Sequence, residues 1–226
     1  MREIVWDTET TGFDPDAGDR IVEIGCVELF NHMPTGKTYH QYINPERDMP
    51  ESAFQVHGLS IDFLKDYPVF SAIAQEFLDF VGDAKLVAHN ASFDMKFLNA
   101  ELKWVSKPQL PPSRSVDTLE IARRKFPGAQ NSLDALCRRF GIVTERELHG
   151  ALLDSEILAE VYLELIGGRQ PDLVLSVVSS NSDTSSATEW TVPKRPNTLP
   201  SRITEAELSA HKEFVEKLGE NAVWNK

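Results

Sequence analysis

Three short β-rich runs open this sequence before any helical pattern begins, and that order limits the possible folds. They cover residues 2–7, 20–30 and 37–43, and their spacing predicts an antiparallel meander. After residue 69, helical patterns alternate with short apolar runs. The predicted helices cover 70–81, 90–104, 118–126, 132–140 and 151–166, and the predicted strands cover 85–89 and 116–117. The sequence therefore predicts an α/β fold with a mixed five-stranded sheet flanked by helices.

The composition changes abruptly after Leu175. Residues 176–200 are rich in Ser, Thr, Asn and Pro and contain few large apolar residues, which predicts an extended, flexible linker. The sequence is therefore interpreted as a domain at 1–175, a linker at 176–200 and a tail at 201–226.

A short amphipathic helix is predicted in the tail. Thr204 and Glu207 have the spacing of a capping box. An apolar stripe follows, formed by Leu208, Phe214, Val215 and Leu218. An isolated helix of about 15 residues is marginally stable in water, so we expect the tail to fold against a partner.

Membrane insertion and secretion are not expected from the sequence. No apolar run approaches the roughly 20 residues that span a bilayer, and the N-terminus lacks the pattern of a secretory signal. We therefore expect a cytoplasmic protein. Because Cys26 and Cys137 form no CxxC pair, buried free thiols are expected rather than a disulfide or a zinc site.

The net charge of −12 restricts the kind of nucleic-acid binding that the chain could perform. Residues 176–226 carry seven acids and six bases, a net of −1, so −11 falls on residues 1–175. Such a surface disfavours loose binding along a duplex, whereas bound divalent cations can reverse the local field inside one cleft. A metal-dependent grip on a chain end is compatible with this charge, and a DNA-coating role is not.

Four acids have sequence positions that suggest a shared site. Asp7 and Glu9 lie two residues apart at the end of the first predicted strand, so their side chains should share one side of the sheet. Taken alone, this pair could also be a solvated strand end. Asp94 and Asp154 each fall on the apolar stripe of a predicted helix, where a carboxylate is costly unless it is paired or bound to a metal. An arginine from elsewhere in the fold is the alternative partner.

Four inward-facing acids without matching bases predict a site for hard cations. Oxygen ligands favour Mg²⁺ or Mn²⁺ over zinc. Two such ions about 4 Å apart stabilise the attacking and leaving oxygens of a phosphodiester. The chemistry indicated by these residues is hydrolysis of a phosphate ester.

Two histidines are candidates for the same site. His149 precedes Asp154 by five residues, and Gly150 between them could break the backbone and place the histidine in a loop beside the acid. An imidazole with a pKa of about 6.5 is suited to removing a proton from water near neutral pH. A surface position is the alternative for His149. His57 is a further candidate, with less support.

These residues belong to three motifs that resemble those of DEDDh 3′→5′ exonucleases. The motifs are Asp7-Thr8-Glu9-Thr10-Thr11-Gly12, Asn90-Ala91-Ser92-Phe93-Asp94 and His149-Gly150-Ala151-Leu152-Leu153-Asp154. The resemblance implies a ribonuclease H-like fold, two divalent cations held by Asp7, Glu9, Asp94 and Asp154, and His149 as the general base. It also leads us to expect substrate-binding roles for Thr8, Glu9, His57, Asn90, Phe93 and His149.

Within that family, the sequence most resembles the proofreading ε subunits of bacterial replicative DNA polymerases. The segment 167–175 is similar to their sliding-clamp motif, with Gln170, Leu173 and Leu175 at the anchoring positions. A helix end running into a linker is the alternative for that segment. The tail helix with Trp224 resembles the part that docks on the polymerase α subunit. The implied substrate is a single-stranded or frayed 3′ DNA end.

Two other functions remain open from the sequence. A stand-alone DEDDh ribonuclease that trims RNA ends would have the same acids, although it has no evident need for a linker and a capped helix. A non-catalytic interaction module could keep the fold without the reaction.

Overall fold

A sheet of five strands organises the N-terminal part of the protein. In the computed structural model, which describes residues 1–143, 148–168 and 203–218, the strands are β1 (Arg2–Thr10), β2 (Ile21–Phe30), β3 (Met33–Tyr42), β4 (Lys85–Ala88) and β5 (Ser115–Asp117). Their order is β3-β2-β1-β4-β5. β2 pairs antiparallel with β1 and β3, whereas β4 pairs parallel with β1 and β5. The predicted mixed five-stranded sheet is confirmed.

Seven helices surround this sheet in the described residues up to 168. They are α1 (Glu51–His57), α2 (Ile61–Leu64), α3 (Phe70–Val81), α4 (Ala91–Trp104), α5 (Thr118–Lys125), α6 (Leu133–Phe140) and α7 (Ala151–Leu165). The helices predicted from apolar spacing all form, with ends within one residue of the predicted ones. Helices α1 and α2 are not predicted, because their seven and four residues are too short for a clear helical period.

β1 separates two apolar layers. Its even-numbered residues Ile4 and Trp6 pack with α3 and α4 in a cluster that includes Phe77. Its odd-numbered Val5 packs on the other face against α7, where Leu158 belongs to the same cluster. This alternation is the period of two that a strand requires. The carboxyl end of β1 therefore meets helices from both layers.

The strand boundaries differ from the prediction by more than one residue at two places. β1 continues to Thr10 instead of ending at residue 7, and β3 begins at Met33 instead of residue 37. The early start of β3 follows from a two-residue hairpin turn at Asn31 and His32, whose φ angles are 50° and 66°. Positive φ at both central residues matches the right-handed twist of the paired strands. The edge strand β3 is mostly exposed and contains Pro34 and Lys37.

The described tail residues form one helix. The chain divides into two units, Met1–Val174 and Leu175–Lys226, and helix α8 (Glu205–Lys217) lies in the second. Both hydrogen bonds of the predicted capping box between Thr204 and Glu207 are present. The predicted linker at 176–200 lies outside the described residues.

The structure also bears on the cysteines and on membrane insertion. Cys26 and Cys137 are both buried, as predicted, and no disulfide joins them. Among the described residues, no helix combines the length and apolar character needed to cross a bilayer.

A buried ion pair fastens α4 to the start of β2. The Arg20 guanidinium donates from Nε and Nη2 to the two carboxylate oxygens of Glu101, at 2.8 and 2.9 Å. Glu101 is fully buried and also accepts a hydrogen bond from the Ile21 main chain at 3.2 Å. The pair holds α4, the helix that carries Asp94, against the sheet.

Replacing Glu101 by Ala should lower the free energy of unfolding by about 3 kcal/mol, because it leaves Arg20 without its buried partner. Urea denaturation followed by circular dichroism measures this change. The control is Glu76→Ala on the exposed face of α3, which should change the free energy of unfolding by no more than about 0.5 kcal/mol. Equal effects of the two substitutions would contradict the structural role of the ion pair.

Candidate active site

The carboxyl end of β1 brings the first two predicted acids to one face of the sheet. Asp7 lies opposite Gly25 of β2 and Glu9 lies opposite Glu23. Ile4 and Trp6 of β1 face α3 and α4. Asp7 and Glu9 have odd numbers like Val5, so they lie on the opposite face of the sheet, which α7 covers. Glu9 is buried, whereas Asp7 is half-buried. The predicted common side for Asp7 and Glu9 agrees with this register.

The first turn of α7 lies directly on β2. A Cβ atom added to Gly25 would come within 2.2 Å of the Ala151 carbonyl carbon and the Leu152 nitrogen. The Ser155 hydroxyl donates a hydrogen bond to the Gly25 carbonyl at 2.9 Å. This main-chain contact positions Asp154, which is 97% buried in the same turn. The inward position predicted for Asp154 is therefore observed.

His149 lies in the segment that leads into α7. Its Nδ1 is 2.9 Å from Oδ2 of Asp154, and its main-chain N–H donates to the Val56 carbonyl at 3.1 Å. Gly58, with φ of 71°, leaves room for the Leu148 side chain, which a Cβ atom there would meet at 2.6 Å. The end of α1 therefore fixes the histidine loop.

Gly150 does not use the conformational freedom that the sequence suggested for it. Its φ of −153° and ψ of 125° are extended values that any residue adopts. The change of direction between His149 and Asp154 arises because α7 begins at Ala151, and no glycine conformation is needed for it.

Three of the predicted residues form a possible metal-binding group. Glu9, His149 and Asp154 each offer one ligand atom, and these atoms lie within 4.8 Å of one another. Two carboxylates and one imidazole suit a divalent cation. Asp7 and Asp94 are not members of this group in the described residues.

Asp94 approaches the same strand end from the opposite face. It is 97% buried in α4, and Oδ1 accepts a hydrogen bond from the Thr8 hydroxyl at 2.7 Å. Burial raises the pKa of Asp94 to about 7, and the Thr8 hydroxyl opposes that rise. No Lys or Arg pairs with Asp94 in the described part of the chain. A cation would therefore relieve the cost of this buried carboxylate.

An apolar cavity of about 200 Å³ opens beside these acids. Its lining includes Thr8, Glu9, Phe13, Ala53, His57 and Phe93, and we refer to it as the Phe13 cavity. Four of these residues are substrate-binding candidates from the sequence. Phe13 was not predicted as a site residue. The available sequence signal was an aromatic residue in a turn directly after the first motif, and in the structure its side chain is 85% exposed.

His57 is held as a neutral imidazole in the wall of the Phe13 cavity. It is buried, and Nδ1 accepts a hydrogen bond from the Leu59 main chain at 3.0 Å. Burial lowers the pKa of His57 below its usual value, and the Thr10 main chain offsets this in part. His57 is therefore suited to a hydrogen bond with a ligand rather than to carrying charge.

Asn90 starts α4 in a different way from the one predicted. It has a φ of 71°, and its side chain makes no capping hydrogen bond. Its main-chain N–H donates to Asp117 at 3.1 Å. The predicted helix start is correct, but the predicted side-chain cap is wrong because the residue takes up the left-handed conformation. Asn90 does not line the Phe13 cavity.

The predicted partner-binding residues are only partly described. Gln170, Leu173, Leu175 and Trp224 lie outside the described residues. In α8, Leu208, Phe214 and Leu218 have exposed fractions of 46%, 57% and 45%, and Val215 is half-buried.

Replacing Gly25 by Ala should lower the free energy of unfolding by at least about 2 kcal/mol, because the added methyl group would overlap the α7 main chain. Thermal and urea denaturation measure this loss. Gly150→Ala is the local control: nothing lies within 4 Å of a Cβ atom there, and the expected change at this N-cap position is less than about 1 kcal/mol. If Gly25→Ala had the same free energy of unfolding as the wild type, α7 would not pack on Gly25 as described.

The sequence matches a known enzyme family over most of its length. The profile of the family described as Exonuclease (RNase T) covers residues 4–162. The DNA polymerase III subunit epsilon of Rickettsia felis is 48% identical over 225 residues, which cover 96% of this chain and 97% of that protein. The protein of the same name from Escherichia coli K12 is 40% identical over 238 residues, with coverage of 99% and 97%.

A solved structure shares the fold. The nuclease domain of 3′hExo, a DEDDh family member bound to rAMP, superposes with a TM-score of 0.64 at 20% identity, and the match covers 73% of this chain and 91% of that one. This similarity confirms the ribonuclease H-like exonuclease fold implied by the three motifs. The chain is an exonuclease, and it belongs to the epsilon subunits of DNA polymerase III within the exonuclease family.

Proposed function

We propose that this proofreading 3′→5′ exonuclease removes mispaired 3′-terminal nucleotides of DNA at the junction of β1, α4 and α7. The observation that carries the proposal is the grouping of Glu9, His149 and Asp154 ligand atoms within 4.8 Å next to an apolar cavity. A hydrolytic centre and a space for one base therefore lie side by side.

The acids of the three motifs would hold two divalent cations, Mg²⁺ or Mn²⁺. Exonucleases of this family depend on divalent metal ions. The donors here are mostly carboxylate oxygens, and Asp94 is buried without a cationic partner in the described residues. Asp7, Glu9, Asp94 and Asp154 are the proposed ligands. When bound, the cations stabilise the charge that develops on the attacking and leaving oxygens of the phosphodiester.

His149 is the proposed general base. The contact between Nδ1 and Asp154 at 2.9 Å favours a proton on Nδ1 and leaves Nε2 as the ring nitrogen that accepts a proton from water. The side chain is 47% exposed, so water reaches it. Its placement by the Val56 carbonyl reduces the cost of orienting it for the reaction.

The Phe13 cavity is the proposed site for the terminal nucleotide. Phe13 and Phe93 supply aromatic surface for a base, and Thr8 and Glu9 form the side next to the acids. A volume of about 200 Å³ suits one unpaired base. A frayed or mispaired end would enter preferentially, because separating an already mismatched base from its stack costs less energy.

The tail would tether this nuclease to its polymerase. The exposed apolar stripe of α8, made of Leu208, Phe214, Val215 and Leu218, is the proposed contact for the polymerase α subunit. The segment 170–175 is the proposed sliding-clamp motif. Trp224 is proposed as a further contact with the polymerase α subunit. The linker predicted from the composition of residues 176–200 would raise the effective concentration of the nuclease near the primer end. The cytoplasmic location stays a prediction.

RNA trimming is a second candidate, favoured by one observation. The DEDDh nuclease domain of 3′hExo was solved with bound rAMP, so a related fold accepts a ribonucleotide. Comparing RNA and DNA oligonucleotides of the same sequence separates the two activities: proofreading requires higher kcat/KM on DNA.

Replacing Asp7 by Ala should lower kcat on a primer with a mismatched 3′ end by at least about a thousandfold at saturating Mg²⁺, because a proposed metal ligand is lost. Melting temperature should remain close to that of the wild type. The control is Asp83→Ala, which changes an exposed acid outside the site and should keep full activity. Faster removal of mismatched than of paired ends is expected for the wild type, and retained turnover by Asp7→Ala would refute the metal assignment.

Replacing both Leu208 and Phe214 by Glu should weaken binding to the polymerase α subunit at least about tenfold, because two charges would enter an apolar contact. Surface plasmon resonance with immobilised α subunit measures the affinity. Exonuclease activity on free primer should not change. Ser209 lies on the opposite side of α8 from the apolar stripe, so Ser209→Glu serves as the control. Equal binding by all three proteins would contradict the proposed role of the tail helix.

A further inference from the structure

A second cavity opens at the carboxyl ends of β4 and β5. It has a volume of about 600 Å³, which is in the range of ligand-binding clefts. Its lining includes His89, Leu119, Arg123, Gly128, Asn131 and Ser132, and no Asp or Glu of the described residues is among the lining side chains. We refer to it as the Arg123 groove. The three exonuclease motifs do not explain it.

The Arg123 groove lies on the same side of the sheet as the catalytic acids. Val5 of β1 pairs with Val87 of β4, and His89 directly follows the end of β4, so the groove begins beside the end of β1 that carries Asp7. Val5 and Val87 pack in one cluster with residues of α7, and Ile121 of α5 packs against it. A strand of nucleic acid that leaves the metal site along this edge of the sheet therefore reaches the groove next.

The wall of the groove is formed before any ligand binds. Asn131 is buried, and its side-chain amide donates to the Phe126 and Ala129 carbonyls at 3.3 and 3.0 Å. The Arg139 guanidinium donates to the Gln130 carbonyl at 3.2 Å and lies 4.4 Å from the Phe126 ring centre. These contacts fix the loop that leads to α6, so binding needs little ordering of the wall.

Arg123 is an uncompensated cation in an acidic chain. It is exposed on α5, and within the described residues it makes no hydrogen bond or ion pair. By contrast, Lys96 and Arg47, which also lie near the carboxyl end of β1, are paired with Asp14 and Asp19. Because the net charge is −12, a free guanidinium in a cavity without acids favours an anionic ligand.

The other polar groups of the groove are suited to a phosphate. Ser132 caps α6 by accepting a hydrogen bond from the Ala135 main chain, so its hydroxyl hydrogen remains available to donate. Leu119 adds apolar surface that a sugar ring could contact.

We propose that the Arg123 groove binds a phosphodiester group of the substrate strand on the 5′ side of the scissile bond. This inference rests on the proposed function, because it requires the 3′-terminal nucleotide to occupy the Phe13 cavity. Arg123 supplies the positive charge, and Ser132 supplies a hydroxyl that donates a hydrogen bond. The ordered loop before α6 shapes the wall of the groove. Arg123 is then a substrate-binding residue that affects longer strands and leaves the reaction at the terminal phosphate unchanged.

The test compares Arg123→Gln with Arg124→Gln in the full-length chain. Arg124 is the next residue of α5, is also exposed and does not line the groove, so both variants lose one charge. The substrates are the single-stranded decamer dT10 and the 4-nitrophenyl ester of thymidine 5′-monophosphate, which fills only the terminal site. Binding of fluorescein-labelled dT10 is measured separately by fluorescence anisotropy, so that binding does not depend on turnover.

For Arg123→Gln we expect a five- to tenfold increase in the KM and Kd for dT10, with kcat and all constants for the ester unchanged. The slope of log Kd against log salt concentration should fall by about 0.7, the value for one phosphate contact on a single strand. Arg124→Gln should behave as the wild type. Equal effects of both variants on dT10, or no effect of Arg123→Gln, would overturn the groove assignment. A wild type that binds but never cleaves dT10 would instead refute the proposed function.

Discussion

The fold depends on the contact between the Gly25 main chain and the first turn of α7. A Cβ atom at Gly25 would lie 2.2 Å from α7 main-chain atoms, so only glycine permits two backbones to come this close. This contact fixes the position of Asp154, which lies in the first turn of α7, relative to Glu9 near the end of β1, the strand next to β2. The distance between two acids from remote parts of the sequence is thereby set by main-chain packing, which is more rigid than contact through long side chains.

Buried carboxylates away from the candidate site have more stabilising partners than Asp94 at the site. Away from the site, buried carboxylates have partners: Glu101 binds Arg20 and Glu3 accepts from the Tyr162 hydroxyl. At the site, Asp94 has only the Thr8 hydroxyl as a side-chain hydrogen-bond donor among the described residues. This carboxylate costs stability in the metal-free protein. A divalent cation that offsets the cost would couple metal binding to stability.

The sequence was most informative where a residue conflicted with its surroundings. Asp94 and Asp154 were identified because acids interrupt apolar helical stripes, and both are buried as expected. Phe13 and Arg123 do not conflict with their sequence neighbours. Their proposed roles depend on exposure and, for Arg123, on the absence of a partner among the described residues, which are tertiary properties. The positive φ of Asn90 could not be read from a residue that caps helices equally well in the extended conformation.

The two ends of the sheet limit how copies of this protein can associate. β5 has three residues, and β3 carries Pro34, which has no N–H to donate, and the charged Lys37. Edge strands of this kind are poor templates for strand addition. Copies of this protein at high concentration would therefore resist edge-to-edge aggregation, even though each sheet ends in strands with one unpaired edge.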